Sequence, residues 1–474
     1  MLRSLNTSGH EQEEEDPSSA TDLHYQQHLR GLNSPAAAIH MRQLLISCAE
    51  LVSHSDFSAA DRLISILSAN SSPYGDSTER LVHQFVRALS LRLNRHHHAS
   101  ATGFMMNLIT TNIATTSINI TTTSTSTTTP TINTSTSTPN YIISNESTAL
   151  QTCYLSLNQI TPFIRFSHLT ANQAILEAIQ VGQQSIHILD FDIMHGVQWP
   201  PLMQALAERS VNTLHPPPML RITGTGHDLD ILHRTGDRLL MFAQSLGLRF
   251  QFHPLLLLND DPTSVALYLS SALSLLPDEA LAVNCVLYLH RLVKDDSRDL
   301  RVFLHKIKAL NPTVVTIAER EANHNHPVFM GRFVEALDHY TAIFESLEAT
   351  LPPNSKERLA VEQIWFGREI MDIVGAEGEN RRERHERYES WEVMLRSSGF
   401  ANVPLSPFAL SQAKLLLRLH YPSEGYQLQI LNNSFFLVFW KRKGRLRSQP
   451  SSIAFAAAAF TVHLQLVLSR GAET

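Results

Sequence analysis

Residues 186–200 read IHILDFDIMHGVQWP. Apart from His187, the first four positions are apolar, and Asp190 ends the run, which is the signature of a short strand covered on both faces. A nucleotide-type cofactor would need a glycine-rich turn directly after such a strand, because only glycine lets the backbone approach the ligand closely at the next helix N-terminus. Here the turn holds a single glycine, Gly196, before Gln198 and Trp199. The bulky Phe191, Met194 and Trp199 are expected to fill the space that a cofactor would occupy.

On the N-terminal side, Thr170 and Gln173 have the spacing of a capping box, opening a helix that carries Ala174, Ile175, Ala178 and Ile179 and closes at Gly182. On the C-terminal side, strand-like runs at Leu220–Thr223, Leu248–Phe252, Leu281–Leu287 and Val314–Ala318 alternate with helical segments. That alternation implies right-handed βαβ crossovers and a parallel sheet covered on both faces. Two more runs, Tyr426–Leu431 and Phe435–Trp440, flank Asn432, Asn433 and Ser434 and read as a hairpin. The expected fold is α/β: a Rossmann-like, methyltransferase-like, mostly parallel sheet with a C-terminal β-hairpin. Ahead of it, Met41, Leu44, Leu45, Cys48 and Val52 share one helical face, and two further amphipathic helices follow, the second opening at Asp76. These predict an N-terminal helical cap subdomain.

The ends and one internal stretch read differently. Residues 1–35 are polar and acidic without periodicity and are expected to be a disordered arm. Between residues 107 and 148 the composition collapses to Thr, Ser, Asn and Ile, predicting a disordered insertion that cannot bury enough apolar surface to offset its ordering entropy. The apolar stretch Ile453–Leu468 is interrupted by His463 and Gln465 and is short for a bilayer span, so no membrane anchor is expected.

A net charge of -6 offers no global attraction to phosphate. The three cysteines, Cys48, Cys153 and Cys285, are far apart, which fits a reducing compartment and neither structural zinc nor a disulfide framework. The second strand ends Arg221, Ile222, Thr223, Gly224, Thr225, Gly226, without the acidic residue that grips ribose hydroxyls. Glu319, Glu321, His324 and His326 could suggest a metal site, but they read as a solvated polar loop. The run Arg381–Arg387 mixes charge signs and reads as a solvated helical face. No catalytic, cofactor or metal residue is assigned.

In order along the chain these motifs resemble the GRAS family of plant transcription regulators. IHILDFDIMHGVQWP is similar to its VHIID motif, with His187 and Asp190 in the matching places and Ile188 and Leu189 departing from it. LAVNCVLYLHRL and NPTVVTIAEREANHN, which contains Arg320 and Glu321, resemble the PFYRE region; Arg381 to Arg384 resemble the RVER element, and Trp391 and Trp440 the SAW region. The resemblance implies a GRAS domain over 36–443: a first leucine-rich region at 36–102, the VHIID region at 150–215, a second leucine-rich region at 228–262, PFYRE at 272–364 and SAW at 367–441. Residues 444–474 would then be an atypical tail. The motif wording is nearest the Lateral suppressor branch, implying a role in axillary meristem initiation and shoot branching.

The family implies a nuclear, non-enzymatic protein that contacts DNA-binding transcription factors and other GRAS proteins, pairs with itself or its relatives, and meets DNA indirectly. A methyltransferase-like enzyme using S-adenosylmethionine and a small-ligand sensor with a pocket near Asp190 and Gly224 stay open as alternatives.

Overall fold

A computed structural model describes residues 35–99, 139–213, 215–421, 425–439 and 462–469. Its centre is a nine-stranded sheet in the order β3-β2-β1-β4-β5-β9-β8-β7, with β6 pairing β9. Strands β1 (Ser185–Phe191), β2 (Met219–Gly226), β3 (Arg249–Leu256), β4 (Ala280–Val286) and β5 (Val314–Arg320) are parallel. Strands β7 (Tyr426–Leu431) and β8 (Ser434–Phe439) form the expected hairpin. Strand β9 (Val462–Ser469) runs antiparallel to both β5 and β8 and to the short β6 (Phe400–Val403).

Alternation along each central strand distributes the core. Ile186, Ile188, Ala282, Val314 and Ala318 face one apolar cluster, while Leu189, Phe191, Val283, Cys285 and Ile317 face the other. This is the two-residue period of a sheet covered on both sides. Helices Pro162–Ala178, Trp199–Thr213 and Leu229–Ser245 pack together over the first face. Helices Pro262–Ala272, Arg298–Ala309 and Tyr388–Ser397 cover the second. Strand β3 lies at the open edge, where its alternating exposure and Pro254 are tolerated because no further strand needs its amides.

The cap subdomain forms as expected. Its helices Pro35–Ser53, Phe57–Ala69 and Ser77–Ala99 pack on one another, and Asp76 accepts from the Glu79 amide at 2.9 Å to cap the third. Arg80, on that third helix, is buried and fastens the cap to the helices after β5: Nε donates to Glu362 at 2.7 Å and Nη2 to Glu348 at 2.6 Å.

Several expectations are corrected. The helix placed at Thr170 begins at Pro162, and Thr170 is buried in its interior, because Pro162 with its fixed φ already starts the helix. The end of the expected insertion is helical, since helix Pro139–Ile160 overlaps it; residues 100–138, the arm before Pro35, and Trp440 lie outside the described residues. The tail expected to lie beyond the domain supplies β9, which fills the gap between β5 and β8. Residues 381–387 are not helical: they run as irregular chain between a 3-10 turn at Gly378–Asn380 and helix Tyr388–Ser397. Arg381, Glu383, Arg384 and His385 are buried there, because the segment is fastened to His290, Asp295, His324 and Asn325 in the loops after β4 and β5. Glu319 and His324 are likewise fully buried rather than solvated, and Glu321 accepts a hydrogen bond from the Tyr388 amide at 2.8 Å.

Candidate functional site

In the order β3-β2-β1-β4-β5 the crossovers reverse direction between β1 and β4, so a crevice opens past the carboxyl ends of these two strands. A cavity of about 340 Å³ lies there. Its apolar wall includes Leu150, Tyr154, Met194, Ile231, Leu232 and Trp365. The bulky turn residues therefore do not close the space. Phe191 points to the opposite face and stacks on Tyr288 with ring centroids 4.9 Å apart, and Trp199 is buried against Asp190.

The turn itself holds its shape without a glycine cradle. Asp192 and Met194 sit at φ values of 60° and 50°, in the left-handed region that non-glycine residues rarely adopt, and the Asp192 amide donates to Thr225 Oγ1 at 2.8 Å. Gly196, at φ 66°, is required: a Cβ there would come within 2.9 Å of Thr235 Cγ2. Gly224 serves packing, since its Cβ would meet Ile193 at 2.8 Å and Phe252 at 2.9 Å.

Asp190, near the end of β1, is spent internally. Trp199 Nε1 donates to Oδ2 at 2.8 Å, and Asn284 Nδ2 donates to Oδ1 at 2.7 Å. Gln198 closes the group, donating to Asn284 Oδ1 at 3.1 Å. Burial pushes the Asp190 carboxyl up to about 7, against the lowering effect of the Asn284 and Trp199 hydrogen bonds.

Deeper in the crevice, one histidine joins two strands to the irregular segment. His290 Nδ1 donates to Glu319 Oε2 at 2.8 Å, and Nε2 donates to Glu383 Oε2 at 3.0 Å. Burial disfavours the imidazolium, but Glu319 and Glu383 outweigh it and hold His290 up at about 9. Burial would raise Glu383, yet the hydrogen bond and charge of His290 bring it down to about 2. Arg320 pairs with Glu369, and Arg291 with Asp192 at 2.6 Å.

One ring nitrogen each of His290 and His385 and a carboxylate oxygen of Glu383 lie within 4.8 Å of one another. The two imidazoles are stacked, with centroids 4.1 Å apart and planes inclined by 17°. A shared ion would have to lie in both ring planes, and these nearly parallel planes do not meet between the rings. The cluster fits an imidazolium stacked on a neutral ring, since burial drives His385 well below its usual range.

The motif residues fall into separate groups. Asp190, Gln198 and Trp199 meet at the crevice, and Arg320 lines its wall. His187 braces strands instead, with Nε2 2.8 Å from Thr223 Oγ1 and Nδ1 3.2 Å from Glu279. Arg381 donates to the His324 carbonyl at 2.7 Å, and Arg384 to Asp295 at 2.6 Å and Asn325 at 3.0 Å, so both fasten loops. Trp391 packs in the second core. His290, Arg291, Asn284, Glu369 and Glu383 were not singled out from sequence; the only signal was LHR after the fourth strand and the Glu within RRER.

A degenerate cofactor turn on a methyltransferase-like sheet, with the cap and the internal fastening of RRER, agrees with the family comparison: the GRAS domain family matches residues 41–445. The chain belongs to the GRAS family. Scarecrow-like protein 18 of Arabidopsis thaliana is 54% identical to this GRAS chain over 405 residues, covering 85% of the chain and 89% of that protein. Protein MONOCULM 1 of Oryza sativa subsp. japonica is 44% identical over 438 residues, covering 87% and 88%. A crystal structure of SCL7 in Oryza sativa superposes with a TM-score of 0.64 at 31% identity, covering 92% of this chain and 100% of that one. Its relatives, Protein SCARECROW among them, are plant regulatory proteins.

Proposed function

We propose that this GRAS protein is a nuclear transcription regulator that works through protein contacts, binding DNA-binding transcription factors and other GRAS proteins, as a homo- or heterodimer, with DNA association indirect. Its proposed setting is axillary meristem initiation and shoot branching, which rests on the motif resemblance to the Lateral suppressor branch. The observation that supports the regulator reading is Asp190: both carboxylate oxygens accept hydrogen bonds from Trp199 and Asn284 beside a turn with a single glycine, so this carboxylate is engaged internally rather than offered to a cofactor. Among the described residues no helix is long and apolar enough to cross a membrane. The motif residues act as internal fasteners that hold the surfaces partners would meet.

The test is to tether the full chain to an unrelated DNA-binding domain and read a reporter gene in plant nuclei. A change in output, up or down, is expected. A silent reporter beside well-expressed nuclear protein would overturn the reading, and saturable binding of S-adenosylmethionine would replace it with the enzymatic one.

A further inference from the structure

We propose that the crevice cavity binds a small molecule with an apolar body and one anionic group, a carboxylate or a phosphate. This goes beyond the regulator reading and does not depend on it.

The cavity has the size and the mixed lining of a ligand site: an apolar wall with a few convergent polar groups at a topological switch point. Tyr154 and Trp365 pack against each other with ring centroids 5.7 Å apart and form one aromatic wall. Trp365 sits in a π-helical turn, Val361–Phe366, a local widening that is frequent at functional sites and leads directly into Arg368 and Glu369.

The sign of the ligand follows from which groups at the cavity are already engaged. Every acid lining it has an internal partner: Asp192 takes Arg291, Glu369 takes Arg320 and Tyr340, Glu383 takes His290, and Asp228 caps a helix at the Ile231 amide. The spare capacity is on the donor side. Arg368 and Arg382 line the cavity from exposed positions, and neither side chain donates a hydrogen bond among the described residues. Arg291 Nε and Trp365 Nε1 are buried there without an acceptor. Unsatisfied donors around an apolar chamber fit a ligand that brings acceptor oxygens and negative charge, because a buried donor without a partner costs about 1–3 kcal/mol. A volume of about 340 Å³ suits a small molecule rather than a peptide strand.

The experiment is a fluorescence titration of the full chain with anilinonaphthalene sulfonate, an apolar aromatic body carrying one anion. Competition with naphthyl phosphate, with naphthoate and with neutral naphthalenemethanol then identifies the anion. Saturable single-site binding is expected, displaced by the phosphate or the carboxylate at lower concentration than by the alcohol; the better of the two anions names the ligand class. The R368A/R382A variant, changed only at exposed positions, is expected to weaken dye binding about tenfold, the loss of one or two charge-assisted hydrogen bonds, while leaving the alcohol's affinity unchanged. Leu150→Trp, which enlarges a side chain lining the chamber, is expected to abolish binding. The proposal is overturned if the dye does not bind, if R368A/R382A binds it as tightly as the parent, or if folded L150W retains binding.

Discussion

His290 and Glu383 stand 93 positions apart in the chain, yet the imidazole Nε2 donates to Glu383 at 3.0 Å while Nδ1 donates to Glu319 at 2.8 Å, so a single charged ring ties β5 and the RRER segment to the 3-10 turn after β4.

That ring sets an alkaline limit on stability. Its pKa rises from 6.5 to about 9 on folding, so its contribution is complete below pH 6.5 and is lost as pH climbs through 9. Unfolding measured between pH 6.5 and 9 should show stability falling by on the order of 1–3 kcal/mol. His290→Gln should be less stable near pH 6.5 and should show a flatter slope across that window. An equal slope in both proteins would refute the assignment.

Asp190 acts in a lower window with the same sign. Its carboxyl moves from 3.8 to about 7 on folding, so the native state holds the extra proton and stability falls as pH rises across that interval. Asp190→Asn presents an amide donor to Trp199 or Asn284 and should cost about 1–3 kcal/mol at pH 5. Denaturant unfolding at pH 5 and pH 8 should show that gap narrowing at the higher pH.

Arg80 joins the cap to the rest. Its side chain is 3% exposed and Glu362's is 1% exposed, so Arg80→Ala removes the hydrogen-bonded cation of a buried carboxylate and leaves it only Arg358 at 4.0 Å, a loss of about 3 kcal/mol. Hydrogen exchange should rise in helices Phe57–Ala69 and Ser77–Ala99 while the central strands stay protected. The double variant R80M/E362L should recover part of the loss.

Strand β9 occupies an internal position in the sheet. A chain ending at residue 461 uncovers the facing edges of β5 and β8, and its melting temperature should drop by at least about 5 °C. An unchanged melting curve would mean that the sheet closes without the tail.

The strand-helix alternation and the single-glycine turn were legible because they are local. Ile186 to Leu189 could be read as a doubly covered strand, and the turn after it as holding a single glycine, from a few neighbouring residues. RRERHER was not legible in that way. Its alternating charges look like a solvated helix until Glu383 is seen facing His290, and Arg384 facing Asp295 and Asn325. The supposed polar loop around Glu319 and His324 was misread for the same reason, since its partners come from distant segments.

The sequence by itself determined the family, the parallel sheet, the hairpin and the helical cap, because these rest on hydrophobic periodicity and motif order, which short stretches carry. Only the tertiary structure decided that a cavity survives beside the degenerate turn, that the acids lining it are internally paired while, among the described residues, Arg368 and Arg382 donate no side-chain hydrogen bond, and that the tail completes the sheet. Burial and pairing of charge depend on which remote side chains share a low-dielectric space, and that proximity has no period along the chain.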